Sequence, residues 1–150
     1  MYKTILIPTD GSEHANIAVE HAVALAAQFD ATLHVLSVID TRHLGITTPT
    51  ELDIEQLRSA YRKQSEEAID EAVRRATVAD VSTVTDIQIG VPHRTITEYV
   101  DEHGIDLVVI GTHGRTRLRQ TLLGSVAEQV LRTSSAPVLA VRSDQQLVDD

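Results

Sequence analysis

The 150-residue sequence contains no cysteine and no tryptophan, and only one phenylalanine and three tyrosines. Without cysteine, disulfide scaffolds, thiolate metal sites and cysteine nucleophiles are excluded. With so few rings, the core must be built from Ala, Val, Ile and Leu within the 42% hydrophobic content. That content suits one domain and is too little for two, so residues 1–150 read as a single domain. Lysine is also scarce: Lys3 and Lys63 are the only two among 13 basic residues, against 22 acidic ones, and the net charge is −9. Nucleic acid and anionic membrane surfaces are therefore disfavoured as partners. Acidic excess with Arg in place of Lys points to a high-salt cytoplasm, where charge is screened over a few Å; a GC-rich genome, which also favours Arg, is the alternative. Long hydrophobic runs are missing too. Ile5-Leu6-Ile7 stops at Pro8, far short of the ~20 residues of a spanning helix. No signal peptide is read, and the expected location is the cytoplasm.

The apolar residues fall into five short runs. Thr4-Ile5-Leu6-Ile7 ends at Pro8-Thr9-Asp10-Gly11, and its continuous hydrophobicity suggests a strand covered on both faces, as in a parallel sheet. Thr32–Ile39 is a second strand, Val81–Ile89 a weaker alternating one ending at Gly90-Val91-Pro92, Asp106–Ile110 the clearest buried one, and Pro137–Arg142 the last. Between them lie helical patterns. Ala15–Phe29 puts Ala18, Val19, Ala22, Leu25 and Ala26 on one stripe. After Pro49, a capping-box-like Thr50-x-x-Asp53 opens a long helix with a stripe of Leu57, Tyr61, Ala68, Ile69, Ala72, Val73 and Ala76. A third helix spans about Pro92 to His103, with Pro in its first turn and Gly104 just beyond its end. A fourth runs from Ser125 to about Thr133, and Asp40–Pro49 reads as a loop. Strands alternating with helices of this length give an open, doubly wound α/β fold: a five-stranded parallel sheet with helices on both faces. Ligands of such sheets bind beyond the carboxyl ends of the strands, where the strand order reverses, which directs attention to the residues after the first and fourth strands.

There the sequence is rich in chemistry. Gly111-Thr112-His113-Gly114 follows the fourth strand, Arg115, Arg117 and Arg119 come next, and Gly124-Ser125-Val126 opens the following helix. Glycines let a backbone bend and present N–H groups to an anion, and a helix N-terminus adds unpaired donors and a positive dipole end. Taken singly, each glycine could merely shape a turn. Three arginines in an otherwise acidic chain suit a polyphosphate, and Ser125 could cap its helix or bond a phosphate oxygen. The pattern is neither a Walker A loop nor a dinucleotide fingerprint.

The spacing Gly111-x2-Gly114-x9-Gly124-Ser125, with Ile7-Pro8-Thr9-Asp10-Gly11-Ser12 after the first strand and Ala136–Val141 at the close, resembles the universal stress protein family over nearly the whole chain. That family has ATP-binding members and members that lack the glycine pattern, and no position of the binding pattern is missing here. The resemblance implies that Asp10 meets the ribose or adenine with Pro8 and Thr9 beside it, and that Val38 offers backbone contacts to adenine. It implies further that Gly111, Thr112, His113, Gly114 and Arg115 line the ribose and phosphate side, and that Gly124, Ser125 and Val126 hold the phosphates. ATP, with Mg²⁺ or Mn²⁺ carried by the nucleotide, is the implied cofactor. A homodimer through the last strand (Val138–Val141) is the implied assembly, with a further, unidentified protein partner reading the nucleotide-ordered loop. Read from the residues alone, Asp10 could instead close an Asx-turn or cap the next helix, and His113 could simply fill a variable position.

Enzymatic signatures are few. The seven histidines (His14, His21, His34, His43, His93, His103, His113) form no H-x-x-x-H or H-E-x-x-H arrangement. His14 and His21, two turns apart, read as a solvated or half-buried helix face. No base dedicated to phosphoryl transfer is visible. A regulatory nucleotide-binding module is the leading expectation, with a slow ATPase and a nucleotide-free interaction scaffold as the alternatives.

Overall fold

The computed structural model describes residues 1–44, 51–113, 123–145 and 147. The capping box opened by Thr50, and Gly114, Arg115, Arg117 and Arg119, lie outside the described residues. The strands are β1 (Thr4–Pro8), β2 (Thr32–Asp40), β3 (Thr83–Gly90), β4 (Leu107–Gly111) and β5 (Val138–Val141). The helices are α1 (Glu13–Phe29), α2 (Thr41–Leu44), α3 (Glu51–Val78), α4 (Pro92–His103) and α5 (Ser125–Thr133). All strand pairs are parallel, in the order β3-β2-β1-β4-β5. The chain winds outward from β1 to β3, then returns to the other side of β1. The strand order therefore reverses between β1 and β4.

Side chains of a strand alternate between the sheet's faces, and the core divides accordingly. Ile5, Ile7, Leu33, Val35, Leu107 and Val109 pack with α1 and α3 in one cluster. Leu6, Leu36, Val108 and Ile110 pack with α4 and α5 in a second. The expected stripes do the covering: Ala18, Val19, Ala22 and Ala26 of α1, and Ala68, Ile69, Ala72 and Ala76 of α3, are buried. Small alanines let these helices lie close to a sheet of branched residues. Tyr99 is the one fully buried ring among the described residues.

The strand ends differ from the sequence reading by one or two residues, and two differences elsewhere have a local cause. Helix α1 begins at Glu13 rather than Ala15, because Ser12 is its N-cap and the Ser12 Oγ accepts the Ala15 N–H at 3.2 Å. The stretch after Asp40 is not all loop, since Thr41–Leu44 forms one helical turn. Asp40 Oδ1 accepts the Arg42 N–H at 2.9 Å and so starts that turn.

Candidate functional site

Beyond β1 the chain makes a tightly bonded turn. The Thr9 N–H donates to the Leu36 carbonyl (2.9 Å), which carries the β1–β2 ladder one residue past Pro8. Thr9 is buried, and its Oγ1 accepts the Gly11 N–H at 3.1 Å. Asp10 Oδ1 accepts the Ser12 N–H at 2.9 Å. Gly11 has φ +78°, a left-handed conformation that only glycine adopts without strain. Asp10 thus closes an Asx-turn, Ser12 caps α1, and Glu13 adds an acidic residue at the helix's positive end. Pro8 pairs with Leu36, so Val38, two residues further along β2, stands level with the Asp10 turn.

Beyond β4 the backbone is drawn in from both sides. A Cβ on Gly111 would come within 3.0 Å of the His14 carbonyl oxygen, so β4 ends hard against the first turn of α1. The Thr112 N–H donates to Val141 O at 3.0 Å, extending the β4–β5 ladder. The Thr112 carbonyl accepts the Gly124 N–H at 2.6 Å, and a Cβ on Gly124 would meet that same oxygen at 2.6 Å. Gly124 is therefore required by close approach: its φ is −63°, and any side chain would drive the two backbones apart. The segment that leaves at His113 and returns at Leu123 thus has its two ends pinned together. Gly124 is also the N-cap of α5, with no side-chain capping bond. Ser125 accordingly does not cap the helix. It is the exposed first helical residue, beside the half-buried Val126, and the first-turn N–H groups have no partners within their own helix.

The register Leu6↔Val108, continued past the strand ends, sets the Asp10 turn level with Thr112 across the reversal point. Of the twelve residues read as site positions, the structure brings Pro8, Thr9, Asp10, Val38, Gly111, Thr112, His113, Gly124, Ser125 and Val126 to the carboxyl ends of β1, β2 and β4. Gly114 and Arg115 are outside the described residues. One residue escaped the sequence reading. His14 is buried (4% exposed) rather than on a solvated face, and its ring centre lies 5.5 Å from that of His113, which is itself buried. The signal was its spacing, four and eight residues before the core positions Ala18 and Ala22. Thr112 Oγ1 and His113 Nδ1 are 3.0 Å apart. A surface cavity of about 350 Å³ between Ala26–Thr32 and Ala79–Ser82 lies at the opposite end of the sheet, where a doubly wound fold does not bind its ligand.

A model of the universal stress protein family matches residues 1–142. The chain belongs to the universal stress protein family. It is 35% identical over 146 residues to Universal stress protein MJ0531 of Methanocaldococcus jannaschii, covering 97% of this chain and 85% of the relative. Its fold superposes on the solved structure of protein MJ0577 with a TM-score of 0.83 at 33% identity, covering 94% of this chain and 96% of that one. It also matches a universal stress protein solved in complex with cAMP, with a TM-score of 0.66 at 29% identity, covering 95% and 98% of the two chains. No described helix of this universal stress protein is long and apolar enough to cross a membrane.

Proposed function

We propose that this universal stress protein binds ATP across the β1/β4 reversal point and acts, as a homodimer, as a regulatory module whose nucleotide state a partner protein reads. The observation that carries this reading is the Gly124–Thr112 contact. It fixes the N-terminus of α5 beside the end of β4, so that the amides of Ser125 and Val126 and the Ser125 hydroxyl form a donor set suited to phosphate. Asp10 offers a carboxylate to the ribose hydroxyls, with Pro8 and Thr9 beside it. Val38 offers backbone groups to adenine, and Gly111, Thr112 and His113, with Gly114 and Arg115, line the ribose and phosphate side. A related universal stress protein in complex with cAMP supports an adenine nucleotide as the ligand class. Mg²⁺ or Mn²⁺ enters with the nucleotide and would supply charge neutralisation on the phosphates. The edge position of β5 and the exposure of Leu139 (38%) support pairing of two copies through Val138–Val141. Among the described residues the site offers no dedicated general base, so turnover is expected below about one per minute, under the usual enzyme range. The cytoplasm, at high salt, is the proposed setting.

Calorimetric titration of the parent and Gly124→Val with Mg-ATP tests the reading. The parent is expected to bind near one nucleotide per chain. The variant is expected to lose at least about tenfold in affinity, a 1.4 kcal/mol loss, because its side chain collides with the Thr112 carbonyl and fills the phosphate path. Equal affinity in the two proteins would overturn the assignment.

A further inference from the structure

On the opposite side of β2 from α1 and α3, a histidine takes a core position. Strand β2 sends Leu33 and Val35 to one face, and His34 and Leu36 to the face that α4 covers. His34 is 8% exposed, and its Nδ1 lies 2.7 Å from the hydroxyl of Tyr99, which is 1% exposed. The Tyr99 ring stacks on His103, one turn further along α4, with centroids 3.8 Å apart and planes 16° from parallel. His103 Nδ1 lies 3.1 Å from the Tyr99 carbonyl oxygen, and the two histidine rings are 5.8 Å apart. A buried imidazole therefore ties the C-terminal half of α4 to the sheet, beside the apolar packing of Ile96, Tyr99 and Val100.

The charged groups around that imidazole are few. From α4 there is His103. From β3 there is Asp86, which pairs with Leu36 in register and accepts a bond from Gln88 Nε2 at 2.8 Å. From β1, the residue beside His34 is Leu6, which carries no charge. At the head of β4, the Asp106 carboxylate takes the Lys3 and Thr4 N–H groups at 2.8 and 3.0 Å. Burial, and secondly the charge of His103, hold the His34 imidazole below its ordinary value. Burial, and secondly Asp86, push the Tyr99 hydroxyl up.

We propose that His34, Tyr99 and His103 form an acid-sensitive latch, which holds the C-terminal half of α4 on the sheet at neutral pH and releases it when His34 takes up a proton. In the tautomer whose Nδ1 accepts the Tyr99 O–H, a proton on that nitrogen leaves it able only to donate, so Tyr99 must turn its own O–H elsewhere. The new charge is buried, and it sits one ring away from a second histidine. The direction follows from linkage. Neutral His34 contributes stability in full above the ordinary value of 6.5, and that contribution is lost as pH falls from there toward its lowered value in the folded protein. Release would uncover Leu6, Leu36 and Val108. It would also loosen α5, since Ile96, Tyr99 and Val100 share a core cluster with Ala127 and Val130.

Hydrogen exchange of the full chain, resolved by peptide and corrected for intrinsic rates, tests the latch between about pH 8 and 5. Peptides covering 96–104 are expected to lose at least about tenfold in protection relative to β4 as pH falls. In His34→Leu/Tyr99→Phe, where both polar partners become apolar, α4 protection is expected to be flat with pH. In His103→Gln, which removes the second imidazole's charge together with its stacking on Tyr99, the loss is expected to begin at lower pH. Flat protection of α4 in the parent, an unchanged pH dependence in the double variant, or an onset unmoved in His103→Gln would each overturn the proposal.

Discussion

Asp10 Oδ1 accepts the Ser12 N–H at 2.9 Å, and the turn it closes is the one from which α1 starts. The sequence left two roles open for this residue, turn closure and ligand contact. The structure assigns the first, and the second belongs to the proposed nucleotide site. A pair of variants separates them. Asp10→Ala removes the acceptor and is expected to cost about 0.5–1.5 kcal/mol, a Tm loss of about 2–4 °C per kcal/mol in a chain of this size. Asp10→Asn keeps an acceptor oxygen for Ser12 and removes only the charge, so its Tm should match the parent's. Both are expected to weaken Mg-ATP binding by at least about tenfold; an Asn variant that binds as tightly as the parent would confine Asp10 to the turn. His14 and Ser125 mark what was hard to read one residue at a time. A histidine is intermediate in burial preference, so its type does not say whether it faces core or solvent; its neighbour His113, ninety-nine positions away, decides that. Serine favours the cap position, which leaves Ser125 open in sequence either to cap its helix or to bond a phosphate oxygen. The cap falls on Gly124 because that residue must touch the Thr112 carbonyl.

At the scale of the element, the strands were legible because burial on both faces leaves continuous apolar runs. β3, an edge strand whose positions are all half-buried or exposed, gave the weaker, alternating signal and slipped by two residues at its start. Helix α2 was missed because four residues are too few to display a helical period. At the other edge, β5 has only four residues and presents Leu139 to solvent. An unpaired apolar edge invites association, and the proposed dimer covers it. Leu139→Arg places a charge on that edge while leaving the buried Val141 untouched. Light scattering at micromolar concentration should give a dimer for the parent and a monomer for the variant. A variant that stays dimeric would move the interface elsewhere.

For the whole molecule, the winding order matters more than any single contact. By returning to the far side of β1, the chain brings four separated segments to one end of the sheet: 8–12, 38, 111–113 and 123–126. No local pattern in the sequence states that they meet. The fold class was legible from strand–helix alternation, and the meeting point followed from the general rule for doubly wound sheets. The contact that completes the site, Gly124 against Thr112, is a packing detail that only coordinates supply. The −9 charge disfavours binding a polyanion by bulk attraction, so the proposed function rests on local geometry: the helix-terminal amides of α5 and the glycine backbone at its start. The most direct test of this account is to purify the parent, denature it, and identify any released nucleotide by chromatography and mass spectrometry, with Mg-ATP titration of the emptied protein beside it. Adenine nucleotide at near one per chain, or its stoichiometric uptake on titration, is the expected result. A protein that releases none and takes up none would contradict the account.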